Sequence, residues 1–286
     1  MQQQEIDRRR RFIFRGNAAA FGGRIVHPKD AVLESRVASS LTVAGGRSRA
    51  EGKDIHFEQW LRIEKAETFA EGLFDDVGRH LALTDREVTA DALTTTTKVH
   101  ADVQGVRAGV KPTLTVKRLR GALTGRSAAA SGEPAIPVAD GKIEGVEIDG
   151  HRLIVDVSLT VFQQHDTRSK LMIAADDPKS GADVAQHLLL RSPIHGVNVP
   201  PRGRLLQSNS TIYATIVKSI RWEKDPFPGA TISDHIVRVP GLGKLLFGEL
   251  LITDVSRRLT MLRLELGCPQ KGDMALAEVE TNGVWG

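Results

Sequence analysis

Apolar and polar positions alternate with a period of two through most of this chain. In LIVDVSLTVF, Leu153, Val155, Val157, Leu159 and Val161 fall on one face, the signature of a half-buried strand. Val99, Ala101 and Val103 alternate in the same way with His100, Asp102 and Gln104. Between Asp54 and Glu64 the apolar row is Ile55, Phe57, Leu61 and Ile63, and the polar row is Asp54, His56, Glu58, Arg62 and Glu64. Gln59 interrupts the first row and Trp60 the second. Further strands are expected over Arg11–Val26 (two short ones, anchored by Phe12, Phe14 and Phe21), Val32–Val43, Thr113–Leu123, Lys142–Ile148, Lys170–Ala175 and Ser210–Trp222. The dipeptide Asp149-Gly150 predicts a hairpin between the strands that flank it.

The densest apolar stretch is Thr231–Cys268. It reads as successive strands over His235–Val239, Lys244–Ile252 and Arg258–Leu266. Pro240-Gly241 supplies the fixed φ and the positive φ of a turn between the first two. Leu245, Leu246, Phe247, Leu250, Leu251 and Ile252 occupy both faces of their strand, which predicts burial on both sides.

Helical spacing is confined to Asp183–Leu190, ended by Pro193, and to a weaker stretch over Phe69–Leu83. Strand signals recur every ten to fifteen residues or so, with turn residues between them. The fold class is therefore all-β, mainly antiparallel, with a large sandwich- or barrel-like architecture and one or two short helices. The Ala, Ser, Gly and Pro run at 127–137 is the natural linker or long loop. It would divide an N-terminal β-rich subdomain (1–126) from a C-terminal one (138–286), a single continuous domain being the alternative. No internal repeat aligns between the halves.

Composition narrows the function classes. A single cysteine, Cys268, excludes an intrachain disulfide and a four-cysteine zinc site. No apolar run is long enough for a spanning helix, and the basic N-terminus lacks the apolar core of a signal peptide; the expected location is cytoplasmic. The formal charge of +4 owes much to Arg8, Arg9, Arg10 and Arg11, which could contact nucleic acid or another anionic surface. Aromatic residues at 5% are sparse for the stacking platforms of single-strand binding, so nucleic acid is not the favoured partner.

Catalytic signatures are missing: the sequence has no HExxH, no GxSxG and no GxGxxG. Pro240–Lys244 resembles part of a phosphate loop, but Arg238 and Leu245 stand where that motif needs Gly and Ser or Thr. The best polar constellation is Asp54, His56 and Glu58, which alternation places on one strand face about 6.6 Å apart. His100 and Asp102 repeat the arrangement. Were the two strands neighbours, these five residues could hold a divalent metal or form an acid–base pair; no other cofactor is implied. His195, in a proline-rich loop, is a ligand-facing candidate. Trp60 and Trp285 are candidate interface anchors. The expectation is a non-enzymatic binding or assembly protein that self-associates. A metal-binding protein or metal-assisted hydrolase, and a nucleic-acid-associated protein, are the alternatives.

Overall fold

The computed structural model describes residues 12–28, 30–75, 94–128, 132–177, 179, 181–189, 211–267 and 271–285. The first half of the chain contributes β1 (Phe12–His27), β2 (Ala31–Leu33), β3 (Ala38–Ser40), β4 (Gly46–Phe57), β5 (Leu61–Phe74), β6 (Thr94–Ala108), β7 (Leu114–Ala128), β8 (Val138–Ile148) and β9 (His151–Val157). Three short helices follow, α1 (Thr160–Gln164), α2 (Arg168–Asp176) and α3 (Gly181–His187). The remaining strands are β10 (Ile212–Thr215), β11 (Val217–Trp222), β12 (Thr231–Ser233), β13 (Ile236–Val239), β14 (Gly243–Ile252), β15 (Ser256–Leu266) and β16 (Lys271–Trp285).

These strands form two antiparallel sheets. The larger runs β12-β13-β14-β15-β16-β1-β2, with β10 added to β14 and β3 to β1; the smaller runs β11-β9-β8-β7-β6-β5-β4. β1 and β16 lie across β6 and β7, and one continuous apolar cluster, with Phe21, Leu119, Leu123, Phe247, Leu262 and Leu276 among its members, fills the space between the sheets. Close approach needs a small residue at Gly121, where a Cβ would lie 3.0 Å from Met261 across the sandwich. The all-β, sandwich-like expectation holds.

The structure moves several elements. The alternation over 54–64 is a hairpin, not one strand: β4 ends at Phe57, and Glu58, at φ 47°, starts the turn. The two interruptions at Gln59 and Trp60 are the turn itself. Residues 69–74 of the expected Phe69–Leu83 helix belong to β5, pairing with β6; 76–83 lie outside the described residues. Residues Lys170–Ala175 are helical, in α2, because the Thr167 hydroxyl caps that helix by accepting the Lys170 N–H at 3.1 Å. The clean apolar face after Leu153 ends at Val157, and Val161 is buried from α1 instead. Where two short strands are expected over Arg11–Val26, the described part is one long strand, β1. Ser210–Trp222 splits at buried Ile216, where the chain leaves the larger sheet as β10 and enters the smaller as β11. The run at 127–137 joins β7 to β8, which are paired neighbours, and β1 from before it pairs with β16 from after it. Sheet boundaries therefore do not follow it.

A row of kinks crosses each sheet. In the smaller sheet Asp54, Gly105 and Gly145 take φ of 49°, 63° and 62° on alternate strands, beside Glu64 and Lys117. In the larger sheet Gly248 and Ala277, at 60° and 52°, flank Met261. Each kink slips the inward–outward alternation by one residue. That is why Phe247 and Leu250 of β14, three apart, both enter the core, as Val103 and Val106 of β6 do across Gly105. Among the described residues no helix is long and apolar enough to cross a membrane.

Candidate functional site: a charged groove on the larger sheet

β14, β15 and β16 are neighbours, so charged residues that interrupt their apolar rows line up on the outer face of the larger sheet. Glu249 on β14 stands opposite Thr260, and Arg263 and Glu265 on β15 stand opposite Ala275 and Asp273 on β16. Arg263 donates to both Glu249 oxygens, Nε to Oε2 at 2.8 Å and Nη2 to Oε1 at 3.1 Å, and its Nη1 donates to Glu265 Oε1 at 2.7 Å. Lys244 Nζ closes on the other Glu265 oxygen at 2.5 Å. At the far end His235 Nε2 lies 3.5 Å from Glu249 Oε1. A line of alternating charge, Glu249–Arg263–Glu265–Lys244, thus runs across the sheet, with the His235 ring beyond Glu249 and Asp273 3.5 Å from Arg263.

Its electrostatics are those of a partly buried ion network. Burial pushes the Glu249 carboxyl up, but the neighbouring His235 ring and the Arg263 guanidinium outweigh it and hold the group below its ordinary value. Glu265 is lowered as well: burial opposes the shift, and Lys244 and Arg263 drive it. Asp273 goes the other way, raised by burial and by the charge of Glu265 against the pull of Arg263. Arg263 itself is raised by its carboxylates despite burial.

This line borders a cavity of about 900 Å³. Its floor is nearly bare of side chains, because β1 and β16 contribute Ala19, Gly22, Gly23, Gly272 and Ala275 there. Gly22 is informative: a Cβ at that position would meet nothing within 4 Å, so packing does not demand glycine. Tyr213, Arg258 and Glu278 are also in the lining. Glu278 accepts from the Thr260 hydroxyl at 2.8 Å, whereas the side chains of Arg258 and Tyr213 make no hydrogen bond or ion pair among the described residues. Among the described residues the lining holds no serine or cysteine. What this arrangement can do is hold charged groups of both signs in a region of reduced dielectric.

The residues singled out by strand alternation are placed elsewhere, and they are not brought together. β5 lies between β4 and β6, and the β4 residues in register with His100 and Asp102 are Arg49 and Glu51. Asp54 and His56 sit farther along β4, and Glu58 sits in the turn beyond it. Among the described residues no three His, Cys, Asp or Glu side chains cluster to hold a metal. Asp102 accepts from Arg118 and Gln104. His100 stacks on Phe69 at 5.3 Å, with its Nε2 3.7 Å from Glu67. Trp60 is buried, its Nε1 donating to Glu58 at 3.0 Å, so it secures the β4–β5 turn. Trp285 packs on Phe12 at the end of the sandwich, 5.1 Å between ring centroids. Arg8, Arg9, Arg10, Arg11 and His195 lie outside the described residues.

Sequence reasoning passed over Glu249, Arg258, Arg263 and Asp273. The available signal was a charge inside each of three consecutive apolar strands, in GKLLFGELLI, SRRLTMLRLEL and KGDMALAEVE.

The fold and the groove together define a two-sheet antiparallel β-sandwich with a charged groove on the outer face of its larger sheet. Comparison with protein families places it further: the chain belongs to the family described as Domain of unknown function (DUF8256), which matches residues 12–253. No curated protein and no solved structure matches it.

Proposed function

We propose that this chain is a non-enzymatic binding protein that receives a ligand carrying both positive and negative groups on the outer face of its larger sheet. The observation that carries this reading is the bare floor under a charged rim, with Gly22 left open where packing would accept a side chain. Unengaged Arg258 and Tyr213 supply donors, and Glu278 and Asp273 supply acceptors, for groups of opposite sign. A mixed-charge peptide-like segment lying along the groove satisfies all of them.

Fluorescence anisotropy with labelled acidic, basic and mixed-charge peptides tests the idea. The mixed-charge probe binds, binding weakens with salt, and both Gly22→Phe and Arg258→Glu abolish it at an unchanged melting temperature. Equal binding by Gly22→Phe, or no binding of any probe, removes the proposal.

A second reading has its own support. At the end of the sandwich where β1 begins, exposed Val43 and Phe74 lie near Phe14, whose N–H donates to the Val43 carbonyl at 3.1 Å and whose ring lies 5.3 Å from that of Phe74, and Ile13 and Leu73, next to them in the chain, are exposed as well. Apolar patches of this kind serve association, and self-association through this end is the corresponding proposal. Light scattering at micromolar concentration, comparing the native chain with Leu73→Ser/Phe74→Ser, decides it: a salt-resistant oligomer that the variant dissolves supports this second role, and a monomer ends it.

A further inference from the structure

We propose that a second cavity, at the joint where β14 changes its edge partner, binds a small organic oxyanion, a carboxylate or phosphate head on a less polar body. The joint follows from the kink at Gly248. Before it, β13 pairs with residues 243–246 of β14; after it, β10 pairs with residues 249–252 on the same edge. Neither strand covers the gap. The β12–β13 turn, Asp234-His235, and the β10–β11 crossing meet there instead, and α3 closes the side. The result is a cavity of about 700 Å³ that, among the described residues, shares only Leu189 with the groove, so this inference does not depend on the groove's occupant.

His235 is the observation that asks for a ligand. The residue is 4% exposed, it lines the cavity, and among the described residues neither of its ring nitrogens has a hydrogen-bond partner. Buried polar atoms are nearly always paired, because an unsatisfied one costs about 1–3 kcal/mol. The contact of its Nε2 with Glu249, at 3.5 Å, is too long to satisfy it. An occupant that hydrogen-bonds the imidazole does.

The charges on the rim choose the sign. Lys218 and Arg238 line the cavity and make no ion pair among the described residues, of which Asp234 is the one carboxylate in the lining. Glu249, close behind the ring, is already engaged by Arg263 through two hydrogen bonds. The Thr215 hydroxyl donates to the Phe247 carbonyl at 3.1 Å, which leaves the Ser233 hydroxyl and the Gln186 amide as neutral donors in the lining. Two unpaired cations against one carboxylate favour an anion. The lining also carries apolar Leu188, Val217 and Ile236, and apolar surroundings strengthen charge interactions by lowering the local dielectric. A volume of about 700 Å³ is in the range of pockets for whole small molecules and far exceeds an inorganic ion. The anionic head therefore belongs to a molecule with a body that packs on those apolar side chains.

The experiment is a titration of the full chain with inorganic phosphate, acetate and hexanoate, followed by NMR of the His235 ring, assigned with His235→Gln. The expected result is a saturable shift for at least one head group, with hexanoate binding more tightly than acetate if the head is a carboxylate. Lys218→Ala/Arg238→Ala, two exposed positions, should weaken binding by at least about tenfold with the melting temperature of the free protein unchanged. Arg258→Glu, which disables the groove, should leave this titration as it is. Saturation by phosphate alone identifies a phosphate head, and saturation by the carboxylates alone a carboxylate head. No saturable shift with any of the three, or native-like binding by the double variant, overturns the proposal.

Discussion

Removing the Arg263 guanidinium is the sharpest test of the ion line on the larger sheet. Glu249 is 9% exposed and is held by two hydrogen bonds from Arg263, at 2.8 and 3.1 Å. Arg263→Met keeps most of the side-chain volume and leaves that carboxylate with only the His235 ring nearby. Breaking a buried pair from one side costs roughly 3–5 kcal/mol. Glu249 borders an open cavity that water can enter, so the lower end, about 3 kcal/mol, is expected. At roughly 2–4 °C per kcal/mol, the melting temperature falls by about 10 °C. The compensated variant, Glu249→Met/Arg263→Met, removes both charges, and it should recover to within about 1 kcal/mol of the native chain. Urea denaturation of all four members of this cycle supplies the numbers. Acid stability gives an independent reading. Because the folded Glu249 carboxyl lies below its ordinary value of 4.5, its contribution is complete above that pH and is lost as pH falls through the depressed folded value. In Arg263→Met that acid limb should shrink. Additive costs in the double variant, or an unchanged acid limb, would refute a coupled network.

Three further outcomes follow from the packing. Gly22→Ala should leave stability within about 0.5 kcal/mol of native, whereas Gly23→Ala, whose Cβ would lie 2.2 Å from the Asp273 carbonyl oxygen, should be clearly destabilised; paired thermal melts compare them. Gly145→Ala places a Cβ 2.6 Å from that of Lys117 at φ 62°, and at about 1–3 kcal/mol its urea midpoint should drop. Arg257 is buried, its titration pulled down to about 10 by burial, and it donates to the carbonyls of Phe162 and His165 at 3.4 and 2.8 Å. Arg257→Met should cost about 1–3 kcal/mol by orphaning those carbonyls, measured by the same denaturation; a neutral result would mean that water replaces the guanidinium.

Local chemistry was legible wherever it dominated. Asp149-Gly150 and Pro240-Gly241 close the hairpins they predict, with φ of 43°, 88° and 78° at Asp149, Gly150 and Gly241. The expected Asp183–Leu190 helix overlaps α3. Period two identified most strands because each sheet has one face on a shared core. It failed where the period slips or the chain turns within a run. Gln59 and Trp60 looked like defects in one strand and are the turn between two. Beyond those hairpins pairing order was not legible, since β1 meets β16 across nearly the whole chain. The metal constellation failed for that reason: alternation fixes which side of a strand a residue faces, but not which strand lies beside it.

The kinks connect that failure to the site that does exist. An unbroken β14 would carry one edge partner along its length and alternate strictly, so Leu250 would face outward with Leu246 and Glu249 would turn toward the core. The left-handed residue at Gly248 reverses this. It returns Leu250 to the core, sends Glu249 out to meet Arg263 on β15, and divides the edge between β13 and β10. The groove's first carboxylate and the neighbouring cavity at His235 thus share one backbone cause. A side chain at Gly248 would meet Ile216 at 2.6 Å and must also hold φ 60°. Gly248→Val should therefore disturb both sites together, moving the His235 ring signals and weakening the Glu249–Arg263 coupling in a single variant. Arg258→Glu and Lys218→Ala/Arg238→Ala should each affect one site and spare the other. If Gly248→Val changed the groove and left the His235 cavity native, the two would be independent features of the sheet, and the kink would not be their common origin.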